Sequence, residues 1–196
     1  MAENLQLAEN VIIIDVAYLN QVITDVKGIL EDNTRKTLSD IDLGEWLVYF
    51  SLDAGIREGD HKTQVLFIYD GQISDIHSCL PSDLKELDAM ACKTVLGELI
   101  FSAISSEGFV SQENVYLDLM TLAMDSSDVK RLVLFPSVEY GAKVKENVRK
   151  INKGHKEVVC FSLDMPQEQK GFRADSIIFS LMHAWGIKQE DLGIPQ

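Results

Sequence analysis

Four carboxylates follow apolar runs along this chain, each placed where an α/β protein could use it for chemistry. Asp15 closes Asn10-Val-Ile-Ile-Ile-Asp15. Asp70 follows the run 63–69, and Asp164 follows the run 157–163. Glu139 comes after the run 130–135, through a short turn at Pro136 and Ser137. Functional groups of parallel sheets gather at the carboxyl ends of the strands. Carboxylates converging there would suit Mg²⁺ or Mn²⁺, hard cations that take oxygen ligands. The same aspartates could instead cap the helices that follow them, where the helix dipole favours negative charge.

Asp118 is a fifth candidate. The helix expected over 112–124 has apolar residues at 115, 119, 122 and 123, which put Asp118 among apolar neighbours on one side. A carboxylate turned toward the sheet costs several kcal/mol unless paired or metal-bound, so its presence there would point to a site.

A basic stretch, 143–156, sets Lys143, Lys145, Arg149, Lys150, Lys153 and Lys156 against the single acid Glu146. Such a patch can neutralise phosphates; its plainer reading is a solvated helix face. No aromatic residue interleaves with these cations, so base stacking is not indicated. His61, His77, His155 and His183 show no zinc-ligand spacing. No GxGxxG, GxxxxGK(S/T) or GxSxG pattern occurs, which removes the common nucleotide-binding and hydrolase readings.

The elements that would position these groups read as alternating strands and helices. Strands are expected at 10–15, 63–70, 98–104, 130–135 and 157–163. Helices are expected near 19–30, 39–56, 81–96, 111–124, 139–152 and 174–185. VIII, VLFI and LVLF do not alternate polar with apolar residues, as strands open to water on one face would. Strand–helix alternation then implies βαβ units, with a mostly parallel sheet covered by helices on both faces. ELIFSAI, the third strand, could equally extend the helix before it.

The length, 196 residues, suits a single domain over 1–196, and a core of that size needs no staple. The net charge of −13 opposes indiscriminate attachment to nucleic acid or anionic membranes without excluding a local basic site. No apolar run reaches the ~18 residues that span a bilayer. The first ten residues, MAENLQLAEN, carry no basic residue and do not read as a signal peptide. A cytoplasmic protein is therefore expected. Its three cysteines, Cys79, Cys92 and Cys160, lack CxxC spacing and read as reduced thiols.

The order of these segments resembles the NYN/PIN-like nuclease superfamily. The resemblance is carried by Val11-Ile-Ile-Ile-Asp15, by Asp118 in a helix before the fourth strand, by Glu139-Tyr140 after that strand, and by Ala174-Asp175-Ser-Ile-Ile-Phe179. The whole chain also looks like a family of uncharacterised bacterial proteins. The NYN/PIN resemblance implies a five-stranded sheet of order 3-2-1-4-5. It also implies a site of Asp15, Asp118 and Glu139 in which Mg²⁺ or Mn²⁺ activates water against a phosphodiester. Two features of that family are missing. Val16-Ala17-Tyr18 stand where its Asn follows the first Asp, and the loop Phe135-Pro-Ser-Val-Glu-Tyr140 lacks the first of its acids.

Two functions follow from the resemblance. One is a catalytically degenerate binding or assembly module, which the missing residues favour. The other is a divalent-metal nuclease acting on RNA or single-stranded nucleic acid, which needs Asp15, Asp118 and Glu139 on one ion. Expected partners are nucleic acid, held weakly through Lys143, Lys145, Arg149 and Lys150, or a protein or second copy of the chain. No membrane is expected.

Overall fold

The computed structural model describes residues 7–106, 108 and 110–193, so the N-terminal stretch read for a signal peptide lies, through residue 6, outside it. Among the described residues, ten strands and six helices run in the order β1 (Asn10–Asp15), α1 (Val16–Thr34), β2 (Ile41–Asp42), α2 (Leu43–Asp53), β3 (His61–Tyr69), β4 (Cys79–Leu80), α3 (Leu84–Leu87), β5 (Ala91–Thr94), β6 (Gly97–Ser105), α4 (Gln112–Asp125), β7 (Arg131–Phe135), α5 (Val138–Ile151), β8 (Glu157–Ser162), β9 (Gln167–Gln169), β10 (Phe172–Ser176) and α6 (Ile177–Ala184). A short 3₁₀ turn, Gln189–Leu192, follows.

The main sheet has the order β5-β6-β3-β1-β7-β8-β10-β9, and β2 and β4 form a separate two-stranded ribbon. The class expected from sequence holds: this is an α/β protein with a large, mostly parallel sheet flanked by helices. The expectation of five strands is corrected to eight in a mixed sheet. The five expected strands are neighbours within it, all parallel, with β1 between β3 and β7. β10 adds a further parallel strand, while β5 and β9 pair antiparallel at the two edges.

Continuous apolarity in the central strands has a direct cause. Ile12 and Ile14 of β1, Val65 and Phe67 of β3, Val133 and Phe135 of β7, and Val159 and Phe161 of β8 point into one core with α1, α2 and α6. Their neighbours Val11, Ile13, Leu66, Ile68, Leu132, Leu134, Val158 and Cys160 point the other way, against α4 and α5. Every position therefore meets a helix layer, and each fully buried Val, Ile, Leu or Phe contributes roughly 1.5–3 kcal/mol by leaving water.

Three helix boundaries also need correction. The segment 81–96 is not one helix. Asp83 caps a single turn, α3, and after Ala89 at positive φ the chain turns into β5. The exposed Ala91 and Lys93 alternate with the half-buried Cys92 and Thr94, a period of two that a strand requires. Residues 174–176 belong to β10, paired with Cys160, Phe161 and Ser162, so the last helix starts only at Ile177. The second helix starts at Leu43 rather than near residue 39, and Asp42 caps it, because Ile41 and Asp42 are taken into β2. The three cysteines are free, as expected. No helix among the described residues is long and apolar enough to cross a membrane.

Candidate functional site at the carboxyl edge

β1 sends the chain first to β3 and later to β7 on its other side, and such a reversal opens a crevice at the carboxyl ends of the strands. Asp15 ends β1 at that point and is 2% exposed. It also begins α1: its Oδ1 accepts the Tyr18 amide at 2.9 Å, satisfying one of the unpaired donors of the helix start. Its other oxygen, Oδ2, accepts the hydroxyl of Tyr140, which lies on the first turn of α5. The Tyr140 ring packs against Tyr116, centroids 5.4 Å apart, and the Tyr116 hydroxyl donates to the Ile13 carbonyl at 3.0 Å. Tyr18 stacks on Phe135 at 5.1 Å. Tyr140 thus holds Asp15 through its hydroxyl, with its own ring braced by Tyr116.

Burial pushes the Asp15 carboxyl above the ordinary aspartate range, against the opposing pull of the Tyr140 hydroxyl and the Tyr18 amide. Burial and then the adjacent Asp15 charge push the Tyr140 phenol up in turn, so Tyr140 keeps its proton and donates it.

Above this pair lies a polar cleft of about 410 Å³. Ser111, Gln112 and Glu113 reach it from the start of α4, Ser137 and Glu139 from the start of α5, and Asp70 from the end of β3. Ser111 and Ser137 each cap their helix, accepting the amides of Asn114 and Glu139. Three helix N-termini (α1, α4 and α5) therefore open on one cleft, and carboxylates sit among them.

The residues expected from sequence are divided. Asp15 and Glu139 line the cleft, and Asp118 does not. The expected inward orientation of Asp118 is corrected: it is exposed on α4. The buried face of that helix is Tyr116, Leu117, Met120, Ala123 and Met124, and Asp118 lies nearly opposite it. Leu122, counted as inward from its spacing, is 45% exposed. Among the described residues no three His, Cys, Asp or Glu side chains are placed to hold a metal ion. The acidic set that the resemblance implies for Mg²⁺ or Mn²⁺ therefore does not fit one ion. Neither Asp70 nor Asp164 caps a helix. Asp70 closes a turn onto the Gln72 amide at 2.9 Å, and Asp164 bonds Ser162.

The basic stretch of α5 is partly engaged. Lys143 pairs with Glu113 at 2.7 Å and Lys150 with Glu146 at 2.6 Å. Arg149 donates to Gln169 and lies over the Phe172 ring, while Lys145 is half-buried. Lys156 donates to the Ser126 and Val129 carbonyls, a structural role. Sequence reading passed over Tyr18, Ser111, Gln112 and Ser137 at the cleft. The two serines that follow or precede turns were visible signals, since residues after strand ends gather at this edge.

The fold and the cleft define an α/β protein with a crevice at the switch point of a mostly parallel sheet. Over residues 4–192 the chain matches the family described as "Family of unknown function (DUF6621)", and it belongs to that family. No curated protein and no solved structure matches it.

Proposed function

We propose that this chain is a binding module of degenerate NYN/PIN-like character, with its ligand seat in the cleft over Asp15 and no hydrolytic metal centre. One observation carries the reading: both oxygens of Asp15, the residue that the resemblance would make a metal ligand, are taken by the Tyr18 amide and the Tyr140 hydroxyl. A metal would have to reach a buried carboxylate whose two oxygens each already accept a hydrogen bond, and Asp118 is not there to help. What remains above Asp15 is a set of hydroxyl, amide and carboxylate groups suited to orienting a polar ligand by hydrogen bonds. A nuclease would need three carboxylates on one ion, and the arrangement of α4 disfavours that.

Nucleic acid, if it binds, uses the cations of α5 rather than the cleft. A labelled single-stranded RNA, offered with Mn²⁺, is expected to stay intact. It should bind weakly and be released at moderate salt, because few phosphates can be neutralised by a face whose lysines are partly paired. Replacing Lys145, Arg149 and Lys150 by glutamate should remove that binding. Cleavage that disappears in Asp15→Asn, or tight binding insensitive to salt, would overturn the reading.

A further inference from the structure

We propose that the cavity between helices α2 and α6 binds a small organic amine, its ammonium held by Asp53 and its apolar body by Phe179, Met182 and Ile187. The cavity measures about 500 Å³ and shares no lining residue with the cleft over Asp15. Asp53, the last residue of α2, lines it together with Phe179, Met182 and His183 of α6 and the segment that follows. Met182 and Ile187 are buried and Phe179 is half-buried, so the walls are mostly apolar. An apolar cavity on which a few charged groups converge is the usual form of a small-ligand site.

Asp53 is the group in it that lacks a partner. Its Oδ2 is buried and accepts no hydrogen bond among the described residues. No ion pair among them reaches its carboxylate either. A buried carboxylate oxygen without a donor is costly, and native folds keep few of them without a reason. The cations nearby are spent elsewhere. Arg173 donates to Asp175 and, at 2.6 Å, to the Asp53 main-chain carbonyl. Arg57 donates to the Leu52 and Ile56 carbonyls at 2.8 and 3.3 Å, and Lys188 lies 3.9 Å from Glu190. The His183 ring packs against Tyr49. Burial and then the Asp175 charge push the Asp53 carboxyl above the ordinary aspartate range, against the pull of His183, Arg173 and Arg57. A positive charge in the cavity offsets both the burial and the repulsion. A neutral ligand would leave the carboxylate uncompensated, so charge is what the site selects.

The test is isothermal titration of the full chain with tryptamine, beside tryptophol, which carries a hydroxyl in place of the amine. Saturable submillimolar binding of tryptamine is expected, at least about tenfold tighter than that of tryptophol. Asp53→Asn should reduce tryptamine to the level of tryptophol without lowering thermal stability, and Phe179→Ala should weaken both probes alike. Glu139→Gln, in the cleft over Asp15, should change neither. Independently of any variant, the methyl resonance of Met182 should move on adding tryptamine, while that of Met124 on the other side of the sheet stays in place. No saturable binding, or equal affinity for the two probes, would overturn the proposal. So would tryptamine binding that survives Asp53→Asn, which would mean that an acidic surface merely attracts amines. Binding weakened by Glu139→Gln instead would place the amine in the other cleft and overturn it as well.

Discussion

Asp15→Ala is expected to lower the unfolding free energy by about 2–4 kcal/mol. Losing the cap of α1 costs about 1 kcal/mol, and the Tyr140 hydroxyl, left buried without its acceptor, costs about 1–3 kcal/mol more. Tyr140→Phe should cost an amount in the same lower range, since it orphans Oδ2 of a buried carboxylate. The double variant should be less destabilised than the sum of the two, because the residues share one interaction. Asp15→Asn keeps the cap and removes the buried charge, so it should stay within about 1 kcal/mol of the parent at neutral pH. The two also differ in pH dependence. The folded carboxyl of Asp15 titrates above its unfolded value, so the native state binds the proton more readily. Its contribution is most favourable below the unfolded value, about 3.9, and declines as pH rises through the raised folded value. Asp15→Asn should remove that decline. Urea unfolding followed by circular dichroism at pH 4 and pH 7 measures each of these effects.

Gly97→Ala should be at least as damaging, at about 3 kcal/mol or more. Gly97 opens β6 at φ +107, and a Cβ on it would lie 2.1 Å from the His61 carbonyl oxygen and 2.4 Å from the His61 amide nitrogen. Both are backbone atoms of the parallel neighbour β3, which cannot yield without parting the strands. The same residue ends the two-residue turn of the β5–β6 hairpin, where Thr94 Oγ1 donates to the Gly97 carbonyl at 3.1 Å. Hydrogen exchange should therefore show lost protection at the start of β6 together with the fall in stability. Gly28→Ala is the control. It sits inside α1 with nothing within 4 Å of its new methyl, and it should stabilise the protein by roughly 0.5–1 kcal/mol.

The fold was legible where burial is two-sided. β1, β3, β7 and β8 lie between helix layers, so their sequences are unbroken apolar runs that no other element explains as well. The edge strands carry no such mark. β9 is Gln-Glu-Gln, and its pairing to β10 follows from the turn at Gly171, not from apolarity. β10 is interrupted by Arg173 and Asp175, which satisfy each other in the folded chain and read as a loop or helix start in sequence. At the site, Asp15 was legible from its place at the end of a buried strand. Asp118 was misread because Val115, Leu119 and Leu122 were counted while Tyr116, Met120 and Met124 were not, which rotated the inferred buried face to the wrong side of α4. The Asp15–Tyr140 bond, spanning 125 residues, could not be had from spacing, since it depends on β1 and β7 being neighbours.

The central claim is that Asp15 anchors two helix starts beneath a binding cleft and does not serve as a metal ligand. Isothermal titration of Mn²⁺ into the chain, beside Asp15→Asn and Glu139→Gln, tests this most directly. The account predicts no saturable heat up to millimolar Mn²⁺ and no difference among the three proteins. Stoichiometric binding to the parent chain that both substitutions weaken would contradict it, and would return the cleft to the divalent-metal chemistry that the resemblance implies.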